Sequence, residues 1–330
     1  MKKILVLGGA GYIGSHMVMK LIEEKKDVVV VDNLSTGFKK AVNLKAKFYE
    51  GDINDADFLD EIFKKEPISV IVHFAAFSQV NESMNNPLKY YENNLCGTTN
   101  LLKVAVKNKI DKIVFSSTAA TYGEPKSNPI KETAITNPTN CYGDTKLAVE
   151  KMLKWTFLAH NLKYVVLRYF NAAGAHESGE IGEAHNPETH LIPLVLQAAT
   201  KQRKDISIYG TDYDTKDGSA IRDYIHVTDL AIAHILAIDY LMKGGSCETF
   251  NLGNGVGFSV KEIIKSAEKI TGQKIIAKEE ERRKGDPSIL IASSEKAKKI
   301  LNWQPKYSDI DYILKTAYKW HYNHPNGYNV

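Results

Sequence analysis

The sequence contains a tyrosine and a lysine whose spacing suits proton transfer. Tyr142 and Lys146 open a predicted helix in the segment Tyr142-Gly143-Asp144-Thr145-Lys146, and positions i and i+4 share one face of a helix. A phenol, with a pKa of about 10, is a poor base at neutral pH unless positive charge favours its ionised form. We therefore expect the Lys146 ammonium, together with a cationic cofactor, to lower the pKa of Tyr142.

A third candidate group is the hydroxyl of Thr118. It ends a predicted strand in Ser116-Ser117-Thr118, and ligands of parallel sheets bind at the carboxyl ends of the strands. There it could hydrogen-bond a substrate hydroxyl and relay its proton. A tyrosine and a lysine four residues apart are often only surface residues, so a catalytic interpretation needs a cofactor site nearby.

A glycine-rich turn follows the first predicted strand and supplies such a site. Gly8-Gly9-Ala10-Gly11-Tyr12-Ile13-Gly14 precedes a helical pattern; glycines let the backbone approach a pyrophosphate, which the N–H groups of the helix attract. Asp32 ends the second predicted strand, where its carboxylate would accept hydrogen bonds from the ribose hydroxyls of a dinucleotide and repel a 2′-phosphate. The motif predicts NAD rather than NADP. A tight turn capped by Asp32 is the alternative interpretation.

Alternating β-branched runs and helical periods predict the elements that position these groups. Predicted strands cover 3–7, 28–31, 47–49, 70–74, 112–116 and 164–168, with amphipathic segments such as 13–25, 58–65 and 97–108 between them. Apolar strands covered on both faces predict an α/β fold with a Rossmann-type doubly wound parallel sheet.

The pattern changes near Asn171, where a loop rich in glycine and histidine precedes a predicted helix at 191–200. We therefore predict an NAD-binding domain at 1–172 and a smaller α/β substrate domain at 173–330, with a ligand cleft between them. Two further predicted strands, 224–227 and 250–252, are compatible either with rejoining the first sheet or with docking beside it.

The composition is that of an ordinary globular protein, with 330 residues, 43% hydrophobic and 25% charged. A net charge of only +4, with lysine pairs spread along the chain, disfavours nucleic-acid binding. Because glycines interrupt the apolar N-terminal run, we interpret it as a strand and not as a signal peptide. We expect no membrane span, since no stretch approaches about 18 apolar residues. Cys96, Cys141 and Cys247 have no metal-ligand spacing and cannot all pair, which favours the cytoplasm.

One loop concentrates histidines and acidic residues. His176, His185 and His190 lie there with Glu177 and Glu183. Their spacing matches no metal-binding motif, so we predict solvated or hydrogen-bonded histidines and no metal site.

Taken together, these motifs resemble those of the extended short-chain dehydrogenase/reductase superfamily and, within it, the UDP-glucose 4-epimerase family, over nearly the full chain. The matching segments are 8–14, Asp32-Asn33-Leu34, Gly51-Asp52-Ile53, His73-Phe74-Ala75-Ala76, Tyr90-Tyr91-Glu92-Asn93-Asn94, 142–146, Arg168-Tyr169-Phe170-Asn171, 218–227, Arg283-Lys284-Gly285-Asp286 and the tail His324-Pro325-Asn326-Gly327-Tyr328.

The resemblance implies an enzyme that interconverts UDP-glucose and UDP-galactose through a 4-keto intermediate, with a tightly held NAD that is reduced and reoxidised within one turnover. The implied catalytic residues are Tyr142, Lys146 and Thr118. The implied cofactor contacts are Gly8, Gly11, Tyr12, Ile13, Gly14, Asp32, Asn33, Asp52, Ile53, Phe74, Ala75, Ala76, Asn93, Ser116, Tyr142, Lys146 and Tyr169. The implied substrate contacts are Thr118, Tyr142, Asn171, His190, Leu191, Ser207, Tyr209, Arg222, Arg283, Asp286 and Leu290.

The resemblance also implies that the domain at 173–330 binds the nucleotide sugar, and that the chain forms a homodimer packed through the helices around 97–108 and 142–160. Four positions depart from the family pattern. Thr118 stands where many members carry serine, but it keeps the hydroxyl. Ser78 stands where a lysine commonly contacts NAD, and His190 stands where an asparagine usually lies beside the diphosphate. Leu290 stands where a bulky tyrosine excludes N-acetylated sugars; because leucine is smaller, we expect some activity on UDP-N-acetylglucosamine and UDP-N-acetylgalactosamine.

Two alternatives remain. A nucleotide-sugar dehydratase or decarboxylase of the same superfamily also begins by oxidising C4, but a dehydratase usually carries Asp-Glu after the active-site threonine, and Ala119-Ala120 follow Thr118 here. A non-catalytic sensor of NAD or a nucleotide sugar would not need Tyr142, Lys146 and Thr118, and their presence disfavours it.

Overall fold

A computed structural model describes residues 2–283 and 286–329. Lys284 and Gly285 of the motif at 283–286 lie outside the described residues. The strands are β1 Lys3–Leu7, β2 Val28–Asp32, β3 Lys47–Glu50, β4 Ile68–His73, β5 Lys112–Thr118, β6 Lys163–Tyr169, β7 Asn171–Ala173, β8 Ile206–Tyr209, β9 Ile221–His226, β10 Glu248–Leu252, β11 Gly257–Ser259, β12 Ala277–Glu280 and β13 Ile289–Leu290. The helices are α1 Tyr12–Glu23, α2 Ala56–Lys65, α3 Val80–Asn85, α4 Pro87–Tyr90, α5 Gly97–Lys107, α6 Cys141–His160, α7 Leu191–Ala199, α8 Val227–Met242, α9 Val260–Thr271, α10 Glu295–Leu301 and α11 Ile310–Asn323.

The main sheet has seven strands in the order β10-β6-β5-β4-β1-β2-β3. Every neighbouring pair in it is parallel, with Leu7 opposite Val31 on one side and His73 on the other. The chain leaves β1 toward β2 and later returns to place β4 on the other side, which opens a crevice at the carboxyl ends of β1 and β4. The predicted doubly wound parallel sheet is confirmed.

Alternating strand residues build two cores on the two faces of this sheet. Ile4 and Val6 of β1 pack with apolar residues of α1, α8 and α10. Leu5 and Leu7 of the same strand pack with α2, α5 and α6. Because both faces are covered, the strands read as continuous apolar runs, as the sequence suggested.

Residues after β6 contribute to more than one layer. β10 hydrogen-bonds to β6 in the main sheet, with Phe250 opposite Leu167, and α8 packs on the same sheet. β9 instead lies in a small sheet with β7, β11 and β13. A third core gathers α7, α9 and α11 around β8 and β9. The predicted strand at 250–252 thus rejoins the first sheet, whereas that at 224–227 does not; the domain division at 172/173 stays a prediction.

Local signals explain where the helix that carries Tyr142 begins and ends. Asn140 caps the start of α6, since its Oδ1 accepts the N–H of Gly143 at 2.8 Å. Asn161 ends the helix in the left-handed conformation, with φ of 54°. Within residues 2–283 and 286–329, no helix combines the length and apolar character that a membrane span requires.

Candidate active site

The glycine turn fits a pyrophosphate. Gly8 has φ of 77°, and a Cβ there would lie 2.6 Å from the backbone nitrogen of Ala75. A Cβ on Gly14 would lie 2.1 Å from the carbonyl oxygen of Gly8, so both positions require glycine. In the described chain, no side chain caps α1 at Gly11 and no acidic residue lies in its first turn. Its first N–H groups are therefore available to an anion.

Asp32 lies at the end of β2 and supports this turn. Its Oδ2 accepts the N–H of Ala10 at 2.9 Å and its Oδ1 accepts the N–H of Leu34 at 2.8 Å. Burial raises the pKa of the carboxyl group, although both N–H contacts lower it. Each carboxylate oxygen has a second acceptor site, so the capping contacts leave room for ribose hydroxyls.

The adjoining predicted cofactor residues form a second contact group. Asn33 donates from Nδ2 to Asp52 Oδ2 at 2.7 Å. Asp52 also accepts the N–H of Asn54 at 2.8 Å; burial raises its pKa, but these hydrogen bonds leave it below the ordinary value. Ile53 is buried, and a Cβ on Gly97 would lie 2.7 Å from it. These residues follow the ends of β2 and β3, next to Asp32.

The segment after β4 lies directly beside the glycine turn. The N–H groups of Phe74 and Ala75 both donate to the carbonyl oxygen of Leu7, at 2.9 and 3.1 Å, and Ala76 follows. Asn93 donates from Nδ2 to Asn94 Oδ1 at 2.9 Å. Phe74 and Ala75 lie at the edge of the sheet where the carboxyl ends of the strands meet, and Asn94 hydrogen-bonds to Phe77 of the same segment.

Thr118, Tyr142 and Lys146 meet at the carboxyl end of β5. Lys146 is 3% exposed, and its Nζ donates to the carbonyl oxygen of Ser116 at 2.8 Å. The same Nζ lies 6.0 Å from the centre of the Tyr142 ring. The hydroxyls of Ser116 and Tyr169 hydrogen-bond each other, and Tyr169 pairs with Thr118 across the strands.

Burial dominates the pKa values of Tyr142 and Lys146. Burial raises the pKa of Tyr142 to about 12, with a lowering contribution from the Thr118 hydroxyl. Burial also lowers the pKa of Lys146 to about 7, against a raising contribution from Glu150. In the protein alone, desolvation dominates at both groups. The expectation that the Lys146 ammonium and a cationic cofactor together lower the pKa of Tyr142 stays a prediction.

Two contacts fix where Tyr142 stands. Its backbone N–H donates to the Ser83 hydroxyl at 3.1 Å, which ties the first turn of α6 to α3. At the next residue, a Cβ on Gly143 would lie 2.6 Å from the carbonyl oxygen of Ala120. The helix therefore approaches the turn after Thr118 more closely than a side chain at position 143 would allow. Ser83 lies 59 residues before Tyr142 and belongs to no motif in the sequence.

A buried ion pair holds α6 against the sheet. Arg168 donates from Nε to Glu150 Oε1 at 2.9 Å, and a second contact joins Nη2 to Oε2. Ser117 donates its hydroxyl to the same carboxylate at 2.5 Å. Glu150 follows Lys146 by one helical turn, which is the signal that could have identified it.

The predicted substrate residues lie on the smaller sheets and on α7. Asn171 donates from Nδ2 to the carbonyl oxygen of Asp223 at 3.0 Å. Leu290 pairs with Arg222 in adjacent strands, and Arg222 forms an ion pair with Asp286. Arg283 and Tyr209 are two further predicted substrate residues. Their side chains stack, with the guanidinium of Arg283 3.9 Å from the centre of the Tyr209 ring.

Three further predicted substrate residues, Ser207, His190 and Leu191, lie on β8 and at the start of α7. Ser207 pairs with Lys278 between β8 and β12. His190 precedes α7 and Leu191 begins it. His190 Nδ1 lies 2.5 Å from Glu183 Oε1. The fold thus gathers the cofactor residues at the main sheet's edge, whereas the substrate residues pair mainly with one another; the roles of all of them stay predictions.

Comparisons with known proteins agree on one family. Residues 4–253 match the model of the NAD dependent epimerase/dehydratase family. The UDP-glucose 4-epimerase of Lacticaseibacillus casei is 58% identical over 325 residues, which cover 98% of this chain and 98% of that protein. A crystal structure of a UDP-glucose 4-epimerase matches with a TM-score of 0.98 and 54% identity over 100% of both chains. The Bifidobacterium longum UDP-glucose 4-epimerase in complex with NAD+ and UDP matches with a TM-score of 0.93 and 39% identity, covering 99% of this chain and 100% of that one.

Proposed function

Because the chain belongs to the NAD-dependent epimerase/dehydratase family, we propose that it interconverts UDP-glucose and UDP-galactose through a 4-keto intermediate. The resemblance inferred from the motifs is confirmed, as are an enzymatic role and NAD as the cofactor. The observation that carries the activity is the grouping of Thr118, Tyr142 and Lys146 at the edge of the sheet that also bears the glycine turn.

The glycine turn and the strand ends beside it would hold the dinucleotide. Gly8, Gly11 and Gly14 would face the pyrophosphate because glycine leaves space there, and the N–H groups in the first turn of α1 would donate to it. Asp32 would accept the adenosine ribose hydroxyls, and this buried carboxylate favours NAD over NADP. Asn33, Asp52 and Ile53 would lie beside the adenine, with Tyr12, Ile13, Phe74, Ala75, Ala76, Asn93, Ser116, Tyr142, Lys146 and Tyr169 completing the contacts.

Tyr142 would take the proton of the sugar 4-hydroxyl, directly or through Thr118. NAD, when bound, supplies a hydride acceptor for C4 and a positive charge beside the phenol. A pKa of about 12 keeps Tyr142 protonated in the protein alone. Each unit by which added positive charge lowers that pKa corresponds to about 1.4 kcal/mol. A partly charged Lys146 beside the phenol would contribute to the same effect.

The substrate would lie over β9 and β13. Arg222 and Arg283 suit the diphosphate because a guanidinium binds phosphate in a forked geometry. Asp286 would accept hydrogen bonds from the hydroxyls of the uridine ribose. In the present structure it forms an ion pair with Arg222. Ser207 and Tyr209 would line the uracil, with Asn171, His190 and Leu191 near the diphosphate and sugar. Half-buried Leu290, opposite Arg222, would leave space for an N-acetyl group, so we propose activity on N-acetylated UDP-sugars as well.

The direct test is conversion of UDP-galactose without added cofactor, followed by separation of the products. Tyr142→Phe should lower the turnover rate by about 100-fold or more, which is the usual contribution of acid–base catalysis. Tyr91→Phe is the matched control, because Tyr91 contacts Asp144 in the same segment without joining the proposed catalytic group. A Tyr142→Phe variant that keeps full activity would contradict the mechanism. Binding of UDP-galactose without any turnover would favour the sensor.

Assembly and location are further proposals. We propose a homodimer packed through α5 and α6, because Trp155 and Leu158 on α6 are 67% and 62% exposed in the single chain. Apolar side chains exposed to that extent on one helix suit a protein interface. We also propose the cytoplasm as its location, since Cys96, Cys141 and Cys247 are all unpaired.

A further inference from the structure

Four side chains with metal-binding atoms converge in the loop that leads into α7. They are Glu183, His185, Glu188 and His190. One ligand atom of each lies within 4.8 Å of those of the other three. The sequence predicted no metal site because the spacing matches no motif, but the folding of the loop brings all four groups to one point.

The separations in this cluster are those of ligands around one small cation. His185 Nδ1 lies 3.2 Å from Glu183 Oε1 and 3.5 Å from Glu188 Oε2. His190 Nδ1 lies 3.8 Å from Glu188 Oε1 and 2.5 Å from Glu183 Oε1. Tetrahedral ligands at about 2.0–2.1 Å from a zinc ion are about 3.3–3.4 Å apart. The two His185 separations thus lie near the required value, and the other two need His190 to move away from Glu183 and toward Glu188.

His185 supplies an independent indication. Its Nδ1 is buried and makes no hydrogen bond to any residue that the structure describes, although both carboxylates lie within 3.5 Å of it. A buried ring nitrogen without a hydrogen-bond partner is uncommon in folded proteins. A metal ion between the two carboxylates and the two imidazoles would satisfy it.

We propose that Glu183, His185, Glu188 and His190 bind one divalent transition-metal ion, of which zinc is the representative. Two carboxylates neutralise the double charge of the ion, and two neutral imidazoles complete a closed set of four protein ligands. Such a set leaves no open position, so the ion is structural. This site is separate from the proposed catalytic group at Thr118, Tyr142 and Lys146.

The bound ion would fasten the loop between two parts of the protein. The carbonyl oxygen of Glu183 accepts the indole N–H of Trp320 at 2.8 Å, which joins the loop to α11. The ring of His185 meets that of Tyr12 edge-on at 6.3 Å between centres, which places the cluster next to the dinucleotide turn. With Nδ1 of His190 on the ion, its Nε2 stays free to donate toward a ligand.

The test is equilibrium dialysis of the full-length chain, free of any histidine tag and first stripped with a chelator, against Zn²⁺. We expect about one ion per chain. His185→Asn and Glu188→Gln should each raise the dissociation constant for zinc by more than about 100-fold. That exceeds the effect of changing a residue that only supports a ligand. His176→Asn is the matched control, because His176 lies in the same loop but faces Glu23.

Cobalt(II) provides a second readout, since a tetrahedral site gives strong visible absorption and an octahedral site does not. Glu188→Gln keeps an oxygen that can accept hydrogen bonds from the N–H groups of Thr189 and His190. The loop should therefore keep its fold in this variant, which tests the metal site even if His185→Asn fails to fold. Absence of a stoichiometric zinc site, or zinc binding that survives Glu188→Gln unchanged, would overturn the proposal. Because metal is measured and not turnover, either result is independent of the epimerase activity.

Discussion

Replacing Lys146 with methionine should make the protein more stable while abolishing its activity. The Lys146 side chain is 3% exposed, and burial lowers its pKa from the ordinary 10.5 to about 7. Keeping a charged ammonium at this position therefore costs folding free energy. Methionine has a similar length, carries no charge and can occupy the same space.

The magnitude follows from the two pKa values. Lowering the pKa from 10.5 to about 7 corresponds to about 5 kcal/mol. Loss of the hydrogen bond to the carbonyl oxygen of Ser116 offsets about 1 kcal/mol of this. Between about pH 7 and 10.5 the unfolded chain binds the proton that the folded chain has lost, so the stability of the unsubstituted protein rises with pH. The advantage of methionine should thus be about 4 kcal/mol below pH 7 and vanish near pH 10.

The assay is denaturant unfolding of NAD-free protein at several pH values from 6 to 10, with turnover of UDP-galactose measured in parallel. Lys151→Met is the matched control, because Lys151 is exposed on the same helix; its stability difference should be small and independent of pH. Activity of Lys146→Met should fall by about 100-fold or more. A Lys146→Met variant that is no more stable than the unsubstituted chain at pH 6.5, or whose advantage does not shrink with pH, would refute the argument.

The remaining predictions concern other contacts. Gly143→Ala should lower turnover by up to about 100-fold, because its Cβ would lie 2.6 Å from a backbone oxygen of the turn after β5 and must displace the start of α6. Glu150→Gln should lower the free energy of unfolding by about 3–5 kcal/mol, because it leaves the buried guanidinium of Arg168 opposite a neutral amide. Leu290→Tyr should remove activity on UDP-N-acetylglucosamine and retain that on UDP-galactose, in paired assays. Trp155→Glu should shift the chain from dimer to monomer in light scattering, because it places a charge in the proposed interface.

Each of these outcomes has a clear opposite. Full activity of Gly143→Ala would show that α6 can move without disturbing Tyr142. A Glu150→Gln variant as stable as the original would mean that the ion pair contributes nothing net. Equal loss of both activities in Leu290→Tyr would indicate general disruption of the pocket, and a monomeric chain before substitution at Trp155 would remove the dimer proposal.

The fold and the cofactor site were largely predictable because their signals are local. Each strand of the main sheet up to β6 begins and ends within two residues of its predicted bounds, since apolar runs and the turns between them specify a strand. Gly8 and Gly14 could be assigned because only glycine tolerates the close contacts of this turn. β10 was harder to place, since its partner β6 is separated from it by the whole of β7, β8 and β9.

The amino-acid sequence by itself determined the chemical groups and the sheet that gathers them at one edge. Only the tertiary structure decided their electrostatics. Tyr142 and Lys146 share a helical face as predicted, yet burial sets both pKa values, and burial depends on every element packed around the helix. Likewise Arg222 and Asp286, 64 residues apart, form an ion pair. Distances between residues far apart in the chain follow from packing, which no short stretch of sequence specifies.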